Sequence, residues 1–223
     1  MARTMVAPAP RVAPRSNLRR RGSLGTKRAV DLVGALVLLV LTAPLLIVIA
    51  LTIWATSGRP ILFRQERVGR DGQRFTMYKF RTMAVGVSDA AQREQNRREL
   101  LGEATDGHKD DADDRITPIG RWLRHASLDE LPQLFNVLVG HMSLVGPRPA
   151  LPWEVELFDQ HHRRRERVRP GVTGLWQVSG RNELTMLEML ELDVRYVARR
   201  STWFDLRILL RTPLVVVRRE GAG

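Results

Sequence analysis

The sequence predicts a mainly helical α+β fold: an N-terminal re-entrant membrane helix, a small β-hairpin and interfacial amphipathic helices. Three observations carry this. Residues 30–55 are almost wholly apolar. Two β-prone runs, Ile61–Phe63 and Phe75–Tyr78, flank an Asp71-Gly72 turn signal. From Pro118 onward, apolar residues recur at helical spacing.

The elements follow in order. Residues 1–26 are rich in Pro, Ala and Arg, lack apolar periodicity and read as a disordered basic arm. The apolar run that follows exceeds the roughly 20 residues a helix needs to span a bilayer. Its apolar core is too long for a cleaved signal peptide, and no clear small-x-small cleavage site follows. Pro44, near its middle, removes a backbone hydrogen bond and kinks or breaks a helix. Asp31 stands at its start, and a bare carboxylate is costly deep in lipid. Lys27 and Arg28 precede it, and Arg59, Arg64, Arg67 and Arg70 follow, so the positive-inside rule keeps both ends cytoplasmic. A re-entrant segment broken at Pro44 reconciles the three facts. A kinked spanning helix is the alternative.

Beyond the hairpin, residues 84–114 are polar and charged. A short helix is expected at Ala90–Leu101, then a loop ending in an Asp cluster at 110–114 that lacks calcium-loop spacing and reads as a solvated charge run. Further helices are expected at Pro118–Arg124, Asp129–Val139, Trp153–Arg167 and Glu183–Tyr196. His161 and His162 are adjacent, so on a helix they diverge and make poor joint metal ligands. The tail Trp203–Val217 is apolar but interrupted by Arg207 and Arg211. It either lies in a membrane interface or packs in the core.

The bulk numbers bound the chemistry. With 36 Lys+Arg against 24 Asp+Glu, the 223-residue chain carries a net charge of +12 and favours an anionic partner: nucleic acid, anionic lipid or a phosphorylated metabolite. No nucleic-acid fold signature is present. The absence of cysteine excludes disulfides, Cys-zinc sites and Cys nucleophiles.

Against that basic background one acidic pair stands out, Asp129-Glu130, in the run Ser127-Leu-Asp-Glu-Leu-Pro-Gln-Leu134. A capping box, Ser127 on a helix start with Glu130 reaching back, accounts for two of its residues and leaves Asp129 unexplained. Pro132 belongs in a first turn, which puts the pair at a helix N-terminus. A carboxylate held ionised there can attack phosphorus, and its neighbour can bind the divalent ion that neutralises a diphosphate. Arg124 lies just upstream. Arg148, Arg169 and Arg181 sit in Pro- or Gly-defined turns, where guanidinium groups bind phosphate oxygens at low entropic cost. A solvated surface charge is the plain alternative for each arginine taken alone.

Taken in order, these runs resemble the bacterial sugar transferases, the monotopic polyprenyl-phosphate phosphoglycosyl transferases. The landmarks are Lys27-Arg-Ala-Val-Asp31, the apolar segment with Pro44, Phe63-Arg-Gln-Glu-Arg-Val-Gly69, Tyr78-Lys-Phe-Arg-Thr-Met83 and Thr117-Pro-Ile-Gly120. They continue with Ser127–Leu134, Met142-Ser-Leu-Val-Gly-Pro-Arg-Pro149, Arg169-Pro-Gly-Val-Thr-Gly174 and Gly180-Arg181. His141 departs from the pattern, which usually has an acidic residue there. The resemblance covers the chain from Lys27 to about Ala222 and looks like the family's minimal catalytic form. It implies three parts: an arm at 1–26, a re-entrant membrane helix at 27–57, and a catalytic domain at 58–223 on the cytoplasmic face of the bacterial inner membrane.

It also implies a reaction. Asp129 attacks the β-phosphate of a UDP-sugar and releases UMP, and polyprenyl phosphate then takes the phosphosugar from the aspartate. Glu130 holds Mg²⁺, and Arg124, Arg148, Arg169 and Arg181 contact phosphates. Partners are therefore a UDP-sugar, polyprenyl phosphate and membrane lipid, with a homodimer left open and nucleic acid excluded. Two competitors stand beside this reading: a glycosyltransferase releasing UDP, and a membrane-anchored basic binding protein without catalysis.

Overall fold

In the computed structural model, residues 17–88, 90–103, 114–180 and 184–218 are described. The Asp run at 110–114, apart from Asp114, lies outside them. The first element, α1 (Asn17–Ser57), is a 41-residue helix. It begins ten residues before the expected boundary, so residues 17–26, read from sequence as disordered, are its first turns. The expected break at Pro44 is absent. The proline withdraws one donor, but the helix is continuous across it.

The stripe that α1 turns inward explains how a helix this apolar stays attached to a polar body. Asp31, Ala35 and Leu39 are buried along its first half, and Ile49 and Ile53 along its second. These positions recur at helical spacing on one face. The other face leaves Val33, Leu36, Val40, Leu41, Ile47, Val48 and Leu51 exposed. Residues 25–57 are long and apolar enough to cross a membrane. Asp31 is not bare. Its carboxylate accepts from Lys27 Nζ at 2.9 Å, Ser143 Oγ at 3.0 Å and the Leu144 N–H at 3.1 Å. The charge read from sequence as a liability in lipid is an anchor to the folded body.

The hairpin forms as expected and is longer. β1 (Leu62–Val68) and β2 (Arg74–Phe80) pair antiparallel over seven positions. Asp71 and Gly72 take positive φ, 56° and 76°, at the turn. Then come α2 (Ala90–Leu100) and α3 (Pro118–His125). Thr117 caps α3 by accepting from the Gly120 N–H at 3.0 Å. The helix lies so close to the end of β2 that a Cβ on Gly120 would stand 2.1 Å from the Thr82 carbonyl oxygen. α4 (Gln133–Val139) follows, ended by Gly140 in the left-handed region.

A parallel pair that sequence did not predict, β3 (Ser143–Val145) with β4 (Gly171–Thr173), lies against α1 and α7 (Thr202–Arg218). Its strands are three residues long, too short for a periodicity signal. Glycines let the strands meet: a Cβ on Gly171 would lie 2.1 Å from the Gly146 nitrogen. The predicted helix at Trp153–Arg167 is two pieces, α5 (Pro152–Glu156) and a 3-10 segment at His162–Arg167. Asp159 accepts from the His162 N–H at 2.8 Å, and Arg163 donates to the carbonyls of Val155 and Phe158. Side chains thus replace the backbone bonds that would have continued α5.

The helix expected at Glu183–Tyr196 runs as α6 (Met186–Arg199), started by a capping box of Thr185 and Glu188. The tail helix α7 packs into the body along one face and exposes an apolar second face. Asp205 and Ile208 are buried, while Trp203, Leu206, Leu210 and Leu214 are exposed. The main core gathers Ala35 and Leu39 of α1, Phe75 and Met77 of β2, Leu134 and Val137 of α4, Leu144 and Val145 of β3, Tyr196 and Ile208.

Candidate active site

The acidic pair sits in a single 3-10 turn, Leu128–Glu130, between α3 and α4. Its entry residue, Ser127, has φ 54° and makes no side-chain cap bond, so the capping box expected from sequence is not formed. The pair is also not in the first turn of an α-helix, because α4 starts at Gln133 with Pro132 as its N-cap. The left-handed turn at Ser127 redirects the chain. Asp129 is left buried, 5 % exposed, and Glu130 half-buried.

What faces the pair comes from the hairpin. Across β1 and β2, Phe63 opposes Lys79, Gln65 opposes Met77 and Arg67 opposes Phe75, so these six side chains share one face. Lys79 therefore joins Phe75 and Met77 on the inward side. Burial pushes its ammonium below the ordinary lysine value, and the carboxylates of Asp129 and Glu130 pull it back up. Farther along this face, burial and then the Arg148 guanidinium press Arg67 down to about 9, opposed by Glu154 and Glu130. Arg67 remains a cation at neutral pH.

Asn136 fixes this face relative to the pair. Its side-chain amide donates to the Thr76 carbonyl at 2.7 Å and its oxygen accepts from the Tyr78 N–H at 3.1 Å, so it acts as a partner for the free edge of β2. On the opposite flank, Arg124 of α3 donates through Nε to Thr82 Oγ1 at 2.9 Å, and Arg81 is nearly buried. Arg81 donates to the carbonyls of Ser57 and Gly58 through one nitrogen, while its Nε and Nη1 are buried without a partner. Arg67 Nε is likewise unpartnered. Buried donors left unmade cost about 1–3 kcal/mol each.

The predicted arginines separate on inspection. Arg124 feels the field around Lys79, together with Asp129 and Glu130. Arg148 is held in a second cluster: Nη1 lies 3.0 Å from the buried Glu154 carboxylate, and its N–H meets Asp193 Oδ2 at 3.1 Å. Arg165 completes that cluster, 2.6 Å from Asp193 and donating to the Arg148 carbonyl. Arg67 couples it electrostatically to Glu130. Arg169 is not brought to the pair. It donates to the Gly140 carbonyl at 2.7 Å, while Arg28 donates to those of Val137 and Leu138, so both arginines cap the far end of α4. His141 is beside them, exposed, its ring centroid 5.5 Å from that of Phe75. Arg181 lies outside the described residues. Pro44 is in the exposed part of α1.

Sequence reasoning missed Lys79, Arg67, Arg165, Glu154 and Asp193. Two had a legible signal. Lys79 continues the alternation of Phe75 and Met77, and Asp193 continues the apolar helical stripe of Met186, Met189 and Leu190.

A cavity of about 200 Å³ opens next to the acidic pair. Ser127, Leu128 and Glu130 form one wall; Val172 and Val178 with Val215 and Val216 of α7 form another. Its lining is chiefly apolar, with Glu130, Thr173, Gln177 and Thr212 among its polar residues. Glu130, half-buried and lining this cavity, offers carboxylate oxygens of the kind Mg²⁺ takes alongside substrate phosphates.

Comparison with known proteins places this architecture. The family described as bacterial sugar transferase matches residues 22–219. An undecaprenyl-phosphate galactose phosphotransferase of Salmonella typhimurium is 41 % identical over 214 residues, covering 93 % of this chain and 44 % of the relative. A UDP-glucose:undecaprenyl-phosphate glucose-1-phosphate transferase of Escherichia coli is 40 % identical over 194 residues, 83 % of this chain and 39 % of the relative. An uncharacterized sugar transferase, EpsL, of Bacillus subtilis is 40 % identical over 195 residues, 87 % of this chain and 89 % of the relative. The chain thus spans less than half of the two longer relatives and most of the third.

Proposed function

The chain belongs to the bacterial sugar transferase family, and from that premise we propose that it moves a sugar 1-phosphate from a UDP-sugar to polyprenyl phosphate at a membrane surface. The observation that carries the reading is the buried Asp129 carboxylate in the field of Lys79, with Arg124 close by. A carboxylate set among cations is placed to act as a nucleophile toward phosphorus. Those cations also neutralise the diphosphate it attacks.

The steps balance as two displacements at one phosphorus. An Asp129 oxygen bonds to the β-phosphorus, the bond to the α-phosphate's bridging oxygen breaks, and UMP leaves with the electron pair. A polyprenyl phosphate oxygen then bonds to the same phosphorus, and the Asp129–phosphorus bond breaks to restore the carboxylate. Lys79 and Arg124 are suited to hold phosphate oxygens while negative charge shifts. Arg148 and Arg67 extend the cationic strip, with Arg148 already committed to Glu154. Mg²⁺ held by Glu130 would supply further charge neutralisation at the diphosphate. The apolar cavity beside Glu130 suits the isoprenoid end of the acceptor.

Support for a membrane placement comes from α1. Its two halves pack on one folded body, through Asp31–Leu39 and through Ile49–Ile53, while its outer face exposes a continuous apolar surface. We place the body on one side of the bilayer, the cytoplasmic side, on the strength of the basic flanks.

The test is nucleotide release. Purified chain, Mg²⁺, polyprenyl phosphate and a panel of UDP-sugars are expected to yield UMP. UDP instead would support a plain glycosyltransferase, and no nucleotide from any donor would support a binding protein. Asp129→Asn is expected to abolish both turnover and the covalent phosphosugar adduct seen by intact mass. Full activity in that variant would remove Asp129 as nucleophile.

A further inference from the structure

Away from the acidic pair, the 3-10 segment after α5 brings two histidines to one glutamate of α6. His161 Nε2 lies 3.2 Å from the Glu191 carboxylate, and His162 Nε2 lies 3.2 Å from Glu191 Oε1. The rings meet edge to face, with centroids 5.3 Å apart. One ligand atom from each of the three residues falls within 4.8 Å of the others. Adjacent histidines diverge on an α-helix, but here His161 is the N-cap of the 3-10 segment and His162 its first residue. The two imidazoles therefore converge, contrary to the expectation from sequence.

His162 Nδ1 lies 2.9 Å from Asp159 Oδ1, so one carboxylate stands behind this ring while its Nε2 faces Glu191 together with His161 Nε2. Ring nitrogens and a carboxylate at this distance are joined by a proton or by a metal cation. A carboxylate behind the ring is also the usual outer partner of a metal-bound histidine.

We propose that His161, His162 and Glu191 form a zinc-class divalent metal site, with Asp159 as its outer partner. The two histidine–glutamate distances of 3.2 Å match the roughly 3.3 Å that tetrahedral Zn²⁺, with bonds of about 2.0–2.1 Å, keeps between neighbouring ligand atoms, and the three atoms together lie within 4.8 Å. Two imidazoles and a carboxylate make a borderline donor set that favours Zn²⁺ over Mg²⁺. The site is accessible, since His161 and Glu191 are both partly exposed, which leaves a fourth position for water. Its consequence is a tie: the metal joins residues 161–162 to α6 three residues before Arg165 meets Asp193 on the same helix.

Untagged full-length protein in detergent, stripped with EDTA, is titrated with Zn²⁺ against a chromogenic chelator. One Zn²⁺ per chain is expected, undisplaced by millimolar Mg²⁺. Glu191→Gln and His162→Asn are each expected to weaken binding at least tenfold. Stoichiometric Zn²⁺ is also expected to raise the thermal midpoint of the wild type and not that of Glu191→Gln, a readout independent of turnover. Absence of stoichiometric binding, or binding unchanged in both variants, overturns the site.

Discussion

Lys79 illustrates how a single residue acquires meaning from its face. Its cost is desolvation and its compensation is the acidic pair. Lys79→Met is therefore expected to lower turnover roughly 100-fold, as loss of one preorganised cation does, with the thermal midpoint unchanged or raised. A variant that loses activity and stability together would make Lys79 structural. Arg169 gives the opposite case. It caps α4 through the Gly140 carbonyl, at the far end from Asp129. Arg169→Ala should cost about 2 kcal/mol of stability and leave kcat of the folded fraction near wild type, whereas Arg124→Ala should act chiefly on turnover. Asp193 supplies a pH signature. Burial raises its carboxyl to about 6 against an ordinary 3.8, opposed by Arg165. The folded state then holds this proton more tightly than the unfolded state. The stability it contributes is present below about pH 4 and is lost as pH rises toward 6. The difference in thermal midpoint between wild type and Asp193→Asn should change across that window and be constant above pH 7.

At the scale of elements, the site is a hairpin face held against a turn. Asn136 does the holding: one buried side chain satisfies the Thr76 carbonyl and the Tyr78 N–H. Asn136→Ala leaves both without their partner and is expected to cost about 2–4 kcal/mol, measured by chemical or thermal unfolding in detergent. Asn136→Asp keeps one acceptor and should fall between. The elements were unevenly legible. The hairpin, α2, α3, α6 and α7 were readable because a turn dipeptide, a capping residue or a sustained period marks each locally. The split of the Trp153–Arg167 helix was not, since it depends on Asp159 and Arg163 taking over backbone bonds. Nor was the β3–β4 pair, whose strands are 26 residues apart from Val145 to Gly171 and whose close approach needs Gly146 and Gly171.

For the whole molecule, a chain of polar contacts closes the fold. Lys27 bridges Asp31 and Asp205 at 2.9 Å each, and Tyr196 donates to Asp205 and to the Val145 carbonyl. It links α1, β3, α6 and α7, so the membrane-seeking helix and the body move as a unit. Both ends of the apolar stretch are tied to that body: Arg28 to α4 at one end, and the Ser57 and Gly58 carbonyls to Arg81 at the other. Cysteines placed at Thr26 and Gly58 should therefore be labelled from the same side of the membrane. Labelling from opposite sides would reject the single-sided placement.

By itself, the sequence determined the class of helical and hairpin elements, the apolar segment, and the acidic pair within its ordered motifs. These are properties of neighbouring residues, and turn chemistry, period and composition report them directly. Only the tertiary structure decided which charges meet. It brought Lys79 and Arg124 toward Asp129 and Glu130, moved Arg169 to a helix end, bound Arg148 to Glu154, turned Asp31 from a cost in lipid into an anchor, and set His161 and His162 on Glu191. Charge pairing depends on distances between residues far apart in the chain, and no local pattern encodes those distances.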